Sequence, residues 1–302
     1  MIEYFIDYFR ITVHLSKREC MDLYHHFFHI ALGDLVELEH GAKGFKGVLQ
    51  SLHGFQLKHS PGNGLHYCTF EFSGNVCRMI PPEFFIAFYR HLTWEEIKFN
   101  VTRIDLAFDN VPFTPHHFEE AINENQTFPE KNIIRSLTRR ESFKWYSSPF
   151  KEKEDGGGLG QYTAYFGSRQ SERFLRVYDK RGPTRLEAEF KGDRASLVTD
   201  DLLTQEEKNW FSIMIGHLLD FIDIEKPWWK ALIGEHERRY ARIQSAKEES
   251  LDKKREWLHY QVAPTLAAVL ECTGGEELFS LLEEGKKRMR DSHQNLLSLH
   301  GK

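Results

Sequence analysis

The chain has 302 residues, of which 40% are hydrophobic and 28% charged, the composition of an ordinary globular protein with a substantial core. Its formal net charge of −5 argues against a protein that coats nucleic acid nonspecifically, but it does not exclude a site-specific DNA enzyme. No apolar run approaches the roughly 20 residues of a membrane helix. The N-terminus lacks the basic flank of a secretory signal, and the four cysteines have no paired spacing. We therefore expect a cytoplasmic protein without membrane attachment or structural zinc.

Strand and helix patterns alternate along the first half of the chain. Proline is tolerated in a first helical turn, and Thr114 before Pro115 is a good N-cap. The patterns predict strands over 4–14, 54–60, 67–73 and 99–108, and helices over 16–32, over 81–91 and from about residue 114.

The middle of the chain is rich in strand patterns, and the rest is helical. The short connection Arg181-Gly182-Pro183 predicts an antiparallel hairpin between the strands on either side of it. From about Ala195 onward no strand is predicted. The predicted strands are 136–147, 162–167, 173–180 and 184–191, with a glycine-rich loop over 154–160 and helical segments over 200–223, 227–261 and 264–270.

These elements predict an α+β protein. We expect an antiparallel-rich β-sheet catalytic core with flanking helices over residues 1–194, followed by a helical C-terminal region over residues 195–302.

Three of the predicted strands carry charged side chains on one face. Successive side chains of a strand point to opposite faces, so the apolar partners of these residues define the core side. Charged residues in the middle of a strand are uncommon unless a site needs them. The predicted polar face comprises Arg103, Asp105, Asp109, Phe174, Arg176, Tyr178, Lys180, Arg185, Glu187, Glu189 and Lys191.

A tyrosine among carboxylates and basic groups suits phosphodiester transfer. Carboxylates can hold Mg²⁺ or Mn²⁺ through oxygen ligands, and cationic groups can neutralise a scissile phosphate. A phenol of ordinary pKa, about 10, needs positive charge or a base before it can attack. A strand tyrosine is nevertheless usually a packing residue, and paired charges on a hairpin are usually solvated salt bridges. The pattern alone leaves both interpretations open.

Four motifs occur in a fixed order: TRIDLAFD (102–109), YFGSR (165–169), FLRVYDK (174–180) and RLEAEFK (185–191). Together they resemble the replication initiation factor family, the Rep proteins of staphylococcal-type rolling-circle plasmids and their relatives in conjugative elements. Asp7-Tyr8, Phe72-Ser-Gly74 and Cys77-Arg78 are also similar to that family, and the resemblance extends over roughly residues 5–195.

The resemblance implies that Tyr178 is the nucleophile, with Arg176 and Lys180 as catalytic neighbours on the same strand. It also implies a divalent metal, Mg²⁺ or Mn²⁺, held by acidic residues. We assign its ligands to Asp105, Glu187 and Glu189, with Asp109 as the alternative, and we assign DNA phosphate binding to Arg103 and Arg185.

The implied function is initiation of rolling-circle replication. The tyrosine would nick one strand at a double-strand origin, giving a 5′-phosphotyrosine and a free 3′-hydroxyl, and a second transfer would rejoin the displaced strand. The implied partners are origin DNA, a second copy of the chain, a host superfamily-1 helicase and a DNA polymerase, in the bacterial cytoplasm. The helical C-terminal region is expected to contribute to origin recognition.

Three alternatives remain open. A relaxase of a conjugative element would use the same chemistry on a transfer origin. A metal-dependent nuclease would attack with water, so that Tyr178 would only pack, and a regulator on the same fold would not cut DNA.

Other candidate residues have simpler interpretations. The chain has no His-x-His, and the pairs His25-His26 and His116-His117 fall on predicted helices, where surface or packing roles are expected. The charged segment 235–256 is interpreted as a solvated helix face, and Trp228-Trp229 as core.

Overall fold

A computed structural model describes residues 1–39, 42, 44–60, 66–136, 143–148, 161–179, 183–239, 255 and 258–289. The chain divides into two compact units, Met1–Ala241 and Arg242–Lys302. Within the described ranges, no helix is long and apolar enough to cross a membrane. The four cysteines are free thiols.

The first unit combines strands and helices. Its strands are β1 (Glu3–Val13), β2 (Leu35–Glu37), β3 (Gly47–Ser51), β4 (Gln56–His59), β5 (Cys68–Ser73), β6 (Phe99–Asp109), β7 (Ile134–Ser136), β8 (Phe143–Ser148), β9 (Gln161–Phe166), β10 (Arg173–Asp179), β11 (Thr184–Lys191) and β12 (Ile222–Ile224). Its helices are α1 (Lys17–Phe27), α2 (His29–Leu32), α3 (Gly74–Met79), α4 (Pro82–Trp94), α5 (Pro115–Thr127), α6 (Gly192–Leu203), α7 (Trp210–Phe221) and α8 (Pro227–Ile233).

One large antiparallel sheet organises this unit. Among the described residues it has ten strands, in the order β2-β3-β4-β5-β1-β6-β11-β10-β9-β8. The N-terminal strand β1 therefore lies inside the sheet, between β5 and β6. Strands β7 and β12 pair separately.

The apolar face of the sheet carries the core. Ile104, Leu106 and Phe108 of β6 are buried, as are Leu186 and Phe190 of β11. Helix α6 packs directly on β6 and β11, and it also contacts α4 and α7. The opposite face of the central strands is therefore the one that carries the charged side chains.

Strand β1 contains a bulge at Asp7. Ile6 is opposite Leu106 and Tyr8 is opposite Asp105, so Asp7 is the extra residue on its strand. A bulge lets a strand re-aim a side chain. Here it brings the Asp7 carboxylate to Arg185, two strands away.

The predicted fold class is confirmed: helices and an antiparallel sheet form the core, and the C-terminal region is helical. The strand predicted over 4–14 and the helix over 16–32 correspond to β1 and to α1–α2. Ser16 caps α1 in a capping box with Glu19, whose carboxylate accepts from Ser16 N at 2.9 Å.

Some elements differ from the sequence predictions. The short strands β2 and β3 and the helix α3 were not predicted. The segment 200–223 is predicted to be helical throughout, but α6 ends at Leu203, α7 begins only at Trp210 and ends at Phe221, and the following residues form β12, which pairs with β7. The predicted loop 154–160 and residues 137–142 of the predicted strand 136–147 lie outside the described residues.

The first compact unit also extends past residue 194, where the sequence patterns divided the chain. Helices α6, α7 and α8 belong to Met1–Ala241, because their apolar residues complete the core of the sheet.

The second unit is helical where it is described. A π-helical turn over Leu258–Val262 leads into α9 (Ala263–Thr273), and α10 (Gly275–Lys287) follows. Gly274, with φ of 81°, separates the two helices, a backbone conformation that glycine adopts readily.

Candidate active site

The strand register brings the predicted polar residues together. In the β6–β11 ladder, Glu189 is opposite Asp105 and Arg185 is opposite Asp109. Directly opposed side chains in an antiparallel pair lie on the same face and within contact distance. The carboxylates of Asp105 and Glu189, 84 positions apart in the chain, therefore share one surface.

The next ladder adds the tyrosine. In the β10–β11 pair, Arg176 is opposite Glu187 and Tyr178 is opposite Arg185. Strand β11 thus lies between the strand that carries Asp105 and the strand that carries Tyr178. The described members of the predicted face come from three adjacent strands.

The phenol of Tyr178 is bound to a carboxylate. Tyr178 Oη donates to Glu187 Oε2 at 3.1 Å, and the guanidinium of Arg176 pairs with Glu187 Oε1. Burial raises the pKa of Tyr178 to about 12, and the charge of Glu187 adds to this, while Arg185 and Arg176 oppose it. The phenol is therefore protonated at neutral pH, and Glu187 is in place to accept its proton.

Arg176 has an unsatisfied donor. Its Nε is buried and has no hydrogen-bond acceptor among the described residues, although its Nη2 is paired with Glu187. Leaving a buried donor unpaired costs about 1–3 kcal/mol. An anionic oxygen that accepted from Nε would remove that cost.

A second ion pair lies on the same face. Arg103 donates to Asp105 through Nε at 2.8 Å and Nη2 at 2.6 Å, and Nη2 is also 2.8 Å from Glu189 Oε2. Lys191 pairs with the other oxygen of Glu189. Each acidic residue that the sequence nominated thus has a basic partner.

Asp105 and Glu187 are the most deeply buried of these carboxylates, and each is 1% exposed. Burial raises the pKa of Asp105 to about 7, and the neighbouring charges of Glu187 and Glu189 act in the same direction, against the effect of Arg103.

Arg185 belongs to a buried network. Its Nε and Nη2 donate to Asp109 at 2.5 and 2.8 Å, and its Nη1 donates to Asp7 at 2.9 Å. Arg78 also donates to Asp109, at 2.6 Å. Arg185 is only 3% exposed, so this arrangement gives it a positioning role, and DNA phosphate binding by Arg185 stays a prediction.

The carboxylates suit a hard cation chemically but are not arranged to hold one. In the part of the chain that the structure describes, no group of three or more histidine, cysteine, aspartate or glutamate side chains could hold a metal ion. Asp105, Glu187 and Glu189 are instead engaged by guanidinium and ammonium groups. In this conformation the predicted metal site does not fit its ion.

Two members of the site were not assigned from the sequence. Asp7 and Arg78 join the network around Asp109 and Arg185. The available signal was that Asp7 is a charged residue between aliphatic and aromatic neighbours in strand β1, which also contains Glu3 and Arg10. Lys180, predicted as a catalytic neighbour, lies outside the described residues.

The remaining candidate histidines and tryptophans lie on a helix surface, cap a helix or pack in the core. His25 and His26 lie exposed on α1, and His117 Nδ1 accepts from Thr114 N at 3.0 Å at the start of α5. Trp229 is fully buried, and Trp228 contacts the Phe118 ring.

Comparisons with known proteins identify the family. Residues 99–282, more than half of the chain, match the replication initiation factor family. The chain belongs to this family, as the order of the four motifs predicts.

Two known proteins extend the comparison. The putative DNA relaxase NicK of Bacillus subtilis (strain 168) is 23% identical over 328 residues, covering 98% of this chain and 89% of that protein. The rolling circle replication initiator protein from Geobacillus stearothermophilus has a similar fold. The TM-score is 0.58 at 16% identity, covering 79% of this chain and 98% of that one.

Proposed function

We propose that this protein nicks one strand of DNA by transferring it to Tyr178. The observation that carries the proposal is the shared carboxylate: Glu187 accepts from the phenol of Tyr178 and pairs with Arg176. Membership of the replication initiation factor family and a fold like that of a rolling circle replication initiator support it.

The proposed reaction is a phosphoryl transfer from the DNA 3′-oxygen to the phenol oxygen of Tyr178. Tyr178 Oη attacks the phosphorus, the Oη–P bond forms and the bond from phosphorus to the 3′-oxygen breaks. The phenol proton passes to Glu187, and the leaving 3′-oxygen takes a proton from solvent. The products are a 5′-phosphotyrosine and a free 3′-hydroxyl that a polymerase can extend. The reverse reaction rejoins a strand.

Arg176 is proposed to bind the phosphate that reacts. Its Nε is an unsatisfied donor, Arg176 lies on the same face of β10 as Tyr178, and a guanidinium can neutralise charge that develops on the phosphate oxygens. Lys180, two positions after Tyr178 in the sequence, and Arg103 remain candidates for further phosphate contacts.

A cofactor role for Mg²⁺ or Mn²⁺ stays a prediction from the family resemblance, because Asp105, Glu187 and Glu189 do not fit the ion in this conformation. When bound, such a cation would neutralise charge on the scissile phosphate. Because these carboxylates are paired with basic side chains, no step of the reaction is assigned to it.

Initiation of rolling-circle replication is the biological role that we propose, with a double-strand origin as the DNA. The putative relaxase relative, which aligns with nearly the whole chain, favours one alternative: nicking at the transfer origin of a conjugative element. Comparing cleavage of the two kinds of origin from the same replicon distinguishes these roles.

The proposal includes partners that rolling-circle replication needs. A second copy of the chain would supply the tyrosine for the closing transfer, and a host superfamily-1 helicase and polymerase would unwind and extend the DNA. Analytical ultracentrifugation with and without origin DNA tests the dimer.

The central test is covalent capture. Purified protein is incubated with Mg²⁺ or Mn²⁺ and a single-stranded oligonucleotide from its replicon's nick region, labelled so that the 5′-phosphoryl fragment is followed. We expect a protein–DNA adduct in the wild type and in Tyr165→Phe, a matched control on the adjacent strand β9. Tyr178→Phe should form none. Cleavage without an adduct that persists in Tyr178→Phe would instead identify a nuclease that uses water.

A further inference from the structure

An arginine and two aromatic rings form a cluster on the charged face of the sheet. The rings of Tyr165 (β9) and Phe174 (β10) are stacked, with their centres 5.5 Å apart and an angle of 22° between their planes. The guanidinium carbon of Arg169 lies 5.7 Å from the centre of the Tyr165 ring and 5.6 Å from that of Phe174. We call these three residues the aromatic platform. Tyr165 and Arg169 are the first and last residues of the YFGSR motif.

The turn between β9 and β10 fixes the backbone of Arg169. Gly167 begins this turn with a φ of 88°, and a Cβ at that position would lie 3.0 Å from Arg173 O. Glycine is therefore the residue that suits the turn. Lys191 Nζ donates to Arg169 O at 2.6 Å, which attaches the turn to the end of β11. The side chain of Arg169 extends from this anchored backbone and is exposed.

The charge of Arg169 is not neutralised in the way that the other basic groups of the site are. Each of those groups is paired with an aspartate or glutamate: Arg103, Arg176, Arg185 and Lys191. Within the described ranges, Arg169 has no carboxylate partner and contacts the two rings instead. Aromatic rings and guanidinium planes are the groups on which unpaired nucleobases stack.

The platform lies in line with the groups proposed for nicking. Phe174, Arg176 and Tyr178 occupy alternate positions of β10 and share one face. At about 3.4 Å per residue, Phe174 is about 14 Å from Tyr178 along the strand, with Arg176 halfway between them. A DNA strand that runs along β10, with its scissile phosphate at Arg176 and Tyr178, therefore passes over the platform.

We propose that the aromatic platform stacks an unpaired nucleobase of the DNA strand close to the scissile phosphate. The inference rests on the proposed function, which places that phosphate at Tyr178. The base lies on the partly exposed Tyr165 ring, with the buried Phe174 ring beneath it and the Arg169 guanidinium on its other side. Every base has a flat π face, so the platform distinguishes single-stranded from paired DNA and does not read the sequence.

Fluorescence of 2-aminopurine tests the platform, because the emission of this base analogue falls when it stacks on an aromatic ring. Single-stranded oligonucleotides of the nick region carry it at one of several successive positions on either side of the nick. Every full-length protein carries Tyr178→Phe, so that no strand is transferred. The variants added to this background are Tyr165→Leu, Tyr165→Phe and Arg169→Ala. Lys131→Ala is the matched control, because Lys131 Nζ lies 4.4 Å from the centre of the Phe128 ring, outside the sheet.

The background protein should quench 2-aminopurine at one or two adjacent positions on one side of the nick. Tyr165→Leu should lose this quenching and bind the single strand about tenfold or more weakly, the loss of one stacked base. Tyr165→Phe keeps the ring and should keep both properties. Arg169→Ala should bind about threefold or more weakly, with a smaller dependence on salt. Lys131→Ala should stay within about twofold of the background.

Three results would overturn the proposal: no quenching at any position, quenching that persists in Tyr165→Leu, or an equal loss of affinity in Tyr165→Leu and Lys131→Ala. Circular dichroism checks folding. If Tyr165→Leu does not fold, Arg169→Ala, on an exposed turn, must weaken binding and quenching by itself.

The adduct assay on proteins that retain Tyr178 is independent of this test. An adduct in the wild type without quenching at any position removes the platform and leaves the proposed function standing. Quenching that depends on the Tyr165 ring, without an adduct in the wild type, retains the platform as a single-strand binding site and removes nicking through Tyr178.

Discussion

Tyr178 and Glu187 are joined by a hydrogen bond of 3.1 Å across the β10–β11 hairpin, from the phenol oxygen to Glu187 Oε2. The contact has two opposing effects. The charge of Glu187 helps to hold the phenol proton, and the same carboxylate is the acceptor to which that proton can move.

Glu187→Gln should separate these effects. The variant removes the negative charge, so the pKa of Tyr178 should fall from about 12 toward its ordinary value of 10. Nicking at neutral pH should nevertheless slow by about 10²-fold or more, because the proton acceptor is lost. Ultraviolet difference titration against Tyr178→Phe measures the pKa, and the adduct assay measures the rate. A variant that nicks faster than the wild type would exclude Glu187 as the base.

Arg176→Lys should impair nicking with little loss of stability. Lysine keeps a positive charge near Glu187 but has no Nε–H in the position of the unsatisfied donor. We expect nicking to slow by about 10²-fold, as when one preorganised donor is removed from a reacting site. Single-turnover kinetics and chemical denaturation provide the two measurements. An unchanged rate would assign Nε no role in phosphate binding.

Arg185→Met should be mainly a stability variant. Three of its N–H groups donate to Asp109 and Asp7 in a buried setting, and the substitution leaves these carboxylates without that partner. We expect the free energy of unfolding to fall by about 3–5 kcal/mol. Urea denaturation measures it, with Arg10→Met, which removes a half-buried arginine of β1, as the comparison. Equal losses in the two variants would contradict a positioning role for Arg185.

The stability of the protein should depend on pH through Asp105. Its pKa in the folded protein, about 7, lies above the ordinary value of 3.8, so the folded state binds this proton more tightly than the unfolded state does. The contribution of the protonated Asp105 carboxyl to the free energy of unfolding is fully present below about pH 4 and is lost as the pH rises through about 7.

Asp105→Asn should therefore reduce the fall in the free energy of unfolding between pH 5 and pH 8. Urea denaturation at each pH measures this, and the exposed Asp22→Asn on α1 is the control. A pH dependence identical in the wild type and Asp105→Asn would show that the carboxylate titrates in its ordinary range.

The sequence could predict which residues share the polar face, because a period of two assigns each side chain to a face once the apolar partners are known. It could not predict how the charges pair. Arg103 and Asp105 are two positions apart on β6, but the contact with Glu189 depends on the register between β6 and β11. Register is a property of the folded sheet and of long-range packing.

The burial of Arg185 was also beyond the pattern. Its position on a charged face suggested access to DNA. In the structure, however, Arg185 donates to Asp7, which lies at the bulge in β1, 178 positions earlier in the chain. The strands β2 and β3 were missed for a different reason. They are three and five residues long, too short for a clear alternation.

The position of β11 between β6 and β10 also determines when the candidate site can form during synthesis of the chain. A polypeptide that ends before β11 has β6 as an open edge, with Asp105 and Asp109 lacking the strand that carries Glu189 and Arg185. During translation the ribosome must therefore release nearly two-thirds of the chain before the candidate site can form. A prematurely terminated product would expose β6 as an aggregation-prone edge strand and would lack the complete candidate site.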